Sequence, residues 1–221
     1  MKKTALIVGA TGLVGSELIK ILLETEEYDR IVALTRRPIG VEHPKLSEKQ
    51  IDFEREETWP WGMVAEDVYC CIGTTIKKAK KKEAMYKVDV EYALAIARWA
   101  LECGARQFLI ISSMNASPDS AFWYPRMKGE LERKVKRLPY ESIAILRPSL
   151  LLGNRKEFRL AESVAGAAAR GLPFVFWGPL KKFKAIEGAD VARSMYRIAQ
   201  GNDKGVRIYS SEELQRIADR S

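Results

Sequence analysis

Tyr124 and Lys128 stand four residues apart, which puts a phenol and an ammonium on one face of a helix, about 40° apart around its axis. An ammonium beside a phenol stabilises the phenolate and lowers a pKa that starts from about 10. Such a tyrosine can give a proton to a carbonyl oxygen during reduction, or take one from an alcohol in reverse. The lysine has a second use, holding the hydroxyls of a nicotinamide ribose. Ser112 and Ser113 precede the pair at the end of an apolar run, where one hydroxyl would orient the reacting oxygen. Strand alternation points the two serines in opposite directions. Ser113 is the preferred catalytic hydroxyl, with Ser112 as the alternative. A Tyr-x-x-x-Lys pair recurs by chance, so its meaning depends on the elements around it.

The strongest of those surroundings is Gly9-Ala10-Thr11-Gly12-Leu13-Val14-Gly15, which follows an apolar strand and opens a helix. In that context Gly9 permits a tight turn, Gly12 lets backbone approach a pyrophosphate, and Gly15 lets helix and strand pack closely. Free N–H groups at the helix start then face the phosphates. The second strand ends in Thr35-Arg36-Arg37, with no carboxylate to hold a ribose 2′-hydroxyl. Two guanidinium groups suit a 2′-phosphate, so the expected cofactor is NADP(H) rather than NAD. Asp52-Phe53 would frame the adenine, and Gly73-Thr74-Thr75 would let the cofactor pass close to backbone. Ser112, Tyr124 and Lys128 complete the expected cofactor contacts.

These residues need a scaffold that brings strand ends together. Apolar runs at 4–8, 31–35, 68–72, 108–111 and 142–146 read as strands, with a brief strand at 50–53 after a loop over 40–47. Helical patterns cover 13–23, 82–103 and 124–138, and the alternation argues for a doubly wound parallel α/β sheet of Rossmann type. Beyond Pro148 the rhythm loosens into helices at 157–170 and 189–200 and an aromatic strand at 174–177. Ser210 to Glu213 reads as a capping box. The expected organisation is a dinucleotide-binding core over 1–148 and a small C-terminal substrate lobe over 149–221, packed as one unit.

Composition narrows the function. At 221 residues, 47% hydrophobic and 30% charged, the chain reads as an ordinary globular protein. Its formal charge of +8 is dispersed apart from Lys77-Lys78-Ala79-Lys80-Lys81-Lys82. That run lacks the interleaved aromatics of a single-strand binder and reads as a solvated loop, so nucleic acid is not the expected partner. Cys70, Cys71 and Cys103 with His43 offer neither a disulfide framework nor a metal site. The start at Met1 shows no leader pattern, and no long apolar span suggests a membrane. A reducing, cytoplasmic setting is the expectation. Trp123, Phe174, Phe176 and Trp177 suit packing or a pocket wall, Asp190 a helix start, and Arg147 a tie between the sheet and the C-terminal lobe.

In the same order, these motifs resemble the atypical short-chain dehydrogenases/reductases, with Tat-interacting-protein (oxidoreductase-like) proteins as the nearest branch. The resemblance runs through Gly9–Gly15, Thr35–Pro38, Cys70–Thr75, Val88-Asp89, Ser112-Ser113 and Tyr124–Glu130, then Leu146–Gly153 and Gly188–Ala192. It implies NADPH at the glycine loop and the Arg36/Arg37 pair, with serine, tyrosine and lysine as a reductase triad. Asp89 departs from the asparagine that extended members carry in this helix, and the short C-terminal lobe disfavours a sugar-nucleotide substrate. The first expectation is therefore reduction of a small carbonyl compound. The second, from the branch's links to regulation, is an NADPH-responsive protein that acts through a protein partner with little turnover.

Overall fold

Along β1 (Lys3–Val8), Leu6 and Val8 are buried in one apolar cluster while Ala5 and Ile7 are buried in another. A strand covered on both faces needs helices above and below it, as parallel sheets have. The computed structural model, which describes residues 3–153, 184–201 and 203–220, shows that arrangement. β1 leads through α1 (Gly15–Glu24) to β2 (Tyr28–Thr35) and β3 (Leu46–Gln50). β4 (Asp67–Cys70) precedes two short helices, α2 (Ile76–Ala79) and α3 (Lys82–Tyr86), then a π-helical stretch over Lys87–Tyr92 and α4 (Ala93–Glu102). Next come β5 (Gln107–Ile111), α5 (Trp123–Val135), β6 (Ser142–Arg147) and the short pair β7 (Leu151–Leu152) and β8 (Ile186–Glu187). The chain continues through α6 (Gly188–Ala199), β9 (Gly205–Ser210) and α7 (Ser211–Ala218).

The main sheet has the order β3-β2-β1-β4-β5-β6-β9, and every pairing in it is parallel. Chain direction across the sheet reverses between β1 and β4, which leaves a crevice at their C-terminal ends. This is the doubly wound Rossmann-type sheet that the alternation of elements predicts.

Three elements differ from their sequence reading. The third strand is Leu46–Gln50, not residues 50–53: Leu46 to Gln50 pair with Ile31 to Thr35 at the sheet edge. An edge strand half open to solvent carries few apolar side chains, so Leu-Ser-Glu-Lys-Gln gives no apolar run. The expected single helix over 82–103 changes to π-helical geometry midway. The stretch Gly205–Ser210 forms a seventh strand on β6, and α6 packs against α1. The helix expected over 157–170 and the strand over 174–177, with Phe174, Phe176 and Trp177, lie outside the described residues. The capping box forms as read: Ser210 Oγ accepts from Glu213 N–H at 3.3 Å, and the Glu213 carboxylate accepts from Ser210 N–H at 2.8 Å.

One buried carboxylate fixes the strand ends that matter for the site. Glu132 on α5 is 2% exposed. It accepts from Ser112 Oγ at 2.6 Å and from the Arg147 guanidinium at 2.9 and 2.6 Å. Among the described residues, Arg147 ties β6 to α5 where a tie to the C-terminal lobe was expected, because the fork of its guanidinium matches a carboxylate that α5 supplies. The ladder also runs past β5, with Ser112 N–H donating to Leu146 O and Met114 N–H to Pro148 O. Removing one partner of a buried pair leaves the other desolvated and uncompensated. Because Arg147 keeps part of its contact with water, Glu132→Ala should lower unfolding stability by about 1.5–3 kcal/mol in urea titrations. A loss under about 1 kcal/mol, the range of exposed pairs, would show that the network is not a structural tie.

Candidate functional site

The crevice at the β1–β4 reversal opens into a cleft of about 630 Å³. Gly12, Leu13 and Val14 form one wall, Cys71 to Lys77 another, and Ile111 to Ser113 with Tyr124 and Lys128 face them. Pro148 to Gly153 close the side toward the C-terminal part. Residues that are dispersed along the sequence meet here because each ends a strand or starts a helix.

Gly9 adopts a φ of +87°, and a Cβ on it would lie 2.5 Å from the Cys71 carbonyl oxygen. Glycine is required there because the turn after β1 runs against the turn after β4. Gly15 has the matching constraint, since a Cβ would sit 2.2 Å from Gly9 O. Ala10 is buried and Thr11 is exposed at the tip of the turn. No side chain caps α1; Ser16 and Glu17 N–H donate to Gly12 O and Val14 O, and the backbone turn Gly12 to Val14 that leads into the helix lines the cleft. That is chemistry suited to a pyrophosphate. Leu13 lies against Gly153 and Gly188, so the C-terminal part props this loop from behind.

Outside the residues that line the cleft, Arg36 and Arg37 project into solvent just after β2. Thr35 is buried, and its hydroxyl donates to Glu48 at 2.9 Å. Glu48 also accepts from Ile39 N–H at 3.1 Å, so Thr35 builds the turn that carries the two arginines. Phe53 packs against Trp59 and Tyr92, with ring centroids 6.1 and 5.3 Å away. Asp52 accepts from Glu54 N–H at 2.9 Å. Burial first, then the Glu54 carboxylate, pushes the Tyr92 hydroxyl up to about 12, with Arg36 acting in the opposite direction. Tyr92 and Glu48 are members of this end that sequence reasoning missed; neither sits in a motif.

The reactive end has one exposed and one buried member. Tyr124 is 39% exposed, whereas Lys128, one helical turn later, is 3% exposed. Lys128 Nζ lies 2.7 Å from Asp89 Oδ1, and Asp89 Oδ2 accepts from Thr74 N–H at 2.8 Å. Burial by itself would lower the Lys128 ammonium; Asp89, helped by Tyr124, more than offsets it and raises the ammonium above the ordinary lysine value. That raised value stabilises the fold in full below the unfolded lysine pKa of about 10.4, and the contribution is lost as pH climbs through the folded value. Ser112 is spent on Glu132, while among the described residues Ser113 makes only a long side-chain contact, 3.4 Å to Met114 O. Both serines line the cleft. Gly73, Thr74 and Thr75 border it from β4, and the Thr75 hydroxyl accepts from Lys78 N–H to cap α2. The pairing of Asp89 was missed, although a carboxylate inside Val88-Asp89-Val90 is a charge in an apolar helical face.

Around the cleft, Lys77 belongs to its lining and Lys82 Nζ sits 5.6 Å from the Trp123 ring centroid. Asp190 pairs with Arg193 at 2.7 Å in the first turn of α6.

The sequence matches the NAD dependent epimerase/dehydratase family over residues 5–210. It is 34% identical over 223 aligned residues to protein FMP52, mitochondrial, of Eremothecium gossypii, covering 95% of each chain. It is 32% identical to protein HTATIP2 of Rattus norvegicus, covering 77% of this chain and 72% of that one. The fold resembles that of MoeE5 in complex with UDP-glucuronic acid and NAD, with a TM-score of 0.69 at 16% identity, covering 93% of this chain and 75% of that one. The expected cytoplasmic setting is corrected by the fungal relatives, several of which carry the mitochondrial name. With the glycine loop, the strand-end crevice and the match along nearly its whole length, the chain belongs to the NAD(P)-binding epimerase/dehydratase family, in its atypical short-chain dehydrogenase/reductase branch.

Proposed function

We propose that the protein is an NADP(H)-dependent oxidoreductase that reduces a small carbonyl compound. The observation that carries this reading is the meeting of Ser113, Tyr124 and Lys128 on the cleft whose opposite wall is the glycine loop. When bound, NADPH supplies the hydride. Tyr124 holds a proton on its phenol oxygen, open to the cleft, and passes it to the substrate oxygen as that oxygen gains charge. Ser113 donates a hydrogen bond to the same oxygen and orients the carbonyl. Lys128 keeps its positive charge beneath the phenol and holds the ribose hydroxyls of the cofactor. The choice of NADP(H) over NAD(H) is supported by Arg36 and Arg37 at the end of β2 and by Glu48, whose carboxylate is already engaged by Thr35 and Ile39.

Calorimetry with NADPH, NADP, NADH and NAD tests the cofactor. Hydrogen bonds to charged groups are worth about 1.5–3 kcal/mol, so Arg36→Ala/Arg37→Ala should weaken NADPH binding roughly 10- to 100-fold and leave NADH unaffected. Equal losses for both would sink the choice of NADP(H). For the chemistry, Tyr124→Phe should cut turnover in a carbonyl screen about 10²–10⁴-fold with NADPH affinity unchanged. Undiminished turnover in that variant would remove Tyr124 from the reaction.

A further inference from the structure

A second cleft, of about 410 Å³, opens at the β9 edge of the sheet and shares no lining residue with the first. Its volume falls within the range of about 300–1,000 Å³ that small ligands occupy. Four arginines line it: Arg197 from α6, Arg207 from β9, Arg216 from α7, and Arg220 just beyond that helix. Two of its lining residues are acids, Asp203 and Glu213.

Both carboxylates are committed inside the protein. Asp203 accepts from the Tyr209 hydroxyl at 2.9 Å and pairs with Arg207 at 2.5 Å. Those contacts, Tyr209 first and then Arg207, hold its carboxyl below the usual value. Glu213 closes the capping box of α7, and the Ser210 hydroxyl and N–H hold it low, with Arg216 and Arg207 adding less. Two acids against four guanidinium groups leave the cleft with an excess of positive charge.

The arginines differ in what engages them. Arg197 Nη1 donates to Ile217 O at 2.7 Å and to Ala218 O at 3.2 Å, which fixes the plane of the guanidinium. Its Nε and Nη2 donors have no partner among the described residues. Arg207 holds Asp203 and lies 5.5 Å from the Tyr209 ring centroid. Among the described residues, the side chains of Arg216 and Arg220 make neither a hydrogen bond nor an ion pair. A helix C-terminus favours cations, which accounts for a basic residue in the last turn of α7. It does not account for Arg197 and Arg207, which come from other elements. A concave wall of one sign focuses its field outward, and an anion in the cleft relieves the repulsion.

We propose that this cleft is a binding site for a soluble organic phosphate, held by the guanidinium groups of Arg197, Arg216 and Arg220. A carboxylate has two oxygens and satisfies one fork. A phosphate monoester has three terminal oxygens and nearly two negative charges, so it takes forks from two elements at once. Ile198 and Ile217 line the same cleft and meet the organic part. The site is independent of the reductase reading, because the two clefts have no residue in common.

The test is ¹H–¹⁵N NMR of the full chain, titrated with inorganic phosphate and with glycerol phosphate. Salt is kept at about 0.15 M, where diffuse surface attraction is screened. The glycine loop also suits a phosphate, so binding is read by position. The amide resonances of Gly201 and Ile217 should move together and saturate with glycerol phosphate. Arg216→Ala and Arg220→Ala break no side-chain contact among the described residues, and each should weaken that binding roughly tenfold or more. Arg36→Ala/Arg37→Ala should leave it unchanged. Unmoved Gly201 and Ile217 amides in the wild type, or undiminished binding in both single arginine variants, would overturn the proposal. Binding confined to vesicles of phosphatidylcholine and phosphatidic acid, with neither soluble phosphate taken up, would overturn it as well and make the cleft a membrane contact.

Discussion

A lysine ammonium taken out of water costs several kcal/mol, and few interiors can support one. Here a single carboxylate does so, at 2.7 Å, and much of the candidate site depends on that contact. The pair joins α5 to the helical segment after α3, and through Thr74 to the turn after β4. The three segments that border the reactive half of the cleft are thereby held to one another by polar contacts as well as by packing. Such a pair adds little net stability compared with an apolar replacement of equal volume. What it supplies is a defined position for a positive charge beside Tyr124.

A second buried carboxylate works on the other side of the same strand. Glu132 takes the Ser112 hydroxyl and the Arg147 fork, and so fixes the ends of β5 and β6 against α5. The two acids divide the work along one helix. Lys128 and Glu132 are four residues apart on α5, both buried, one facing a carboxylate and the other an arginine. The helix thus presents a cation toward the cleft and an anion toward the sheet ends, the first paired from the connection after β4 and the second from the end of β6. Tyr124, one turn earlier, stays partly open to solvent.

The sheet and the glycine loop were legible because both rest on local rules. Buried parallel strands need continuous apolar runs, and a turn at positive φ against a neighbouring backbone needs glycine, so Leu6–Gly15 announces itself. The edge strands did not. Leu46–Gln50 and Gly205–Ser210 are half open to solvent, and their place is set by pairing with β2 and β6 rather than by their own side chains. Tyr124 and Lys128 were readable from helical spacing. The roles of Asp89, Glu132 and Glu48 were not, because each depends on a partner 13 to 39 residues away in the chain or on a backbone N–H. Asp52-Phe53 shows the reverse problem. A strand end close to a cofactor site suggested a binding pair, yet the Phe53 ring packs among Trp59 and Tyr92.

The two serines show how burial settles what alternation leaves open. Strand alternation suggested that Ser112 and Ser113 point oppositely, yet both follow the end of β5 and both line the cleft. A hydroxyl at 2.6 Å from a buried carboxylate donates its one proton there, and has none left for a substrate oxygen. Ser113, with no contact shorter than 3.4 Å for its hydroxyl among the described residues, keeps its proton available. Glu132 thus occupies the Ser112 hydroxyl and leaves that of Ser113 to the cleft. In the same way Asp89 leaves Lys128 charged but anchored. The specificity of the site for one arrangement of hydroxyl, phenol and ammonium comes from acids that need never touch the substrate.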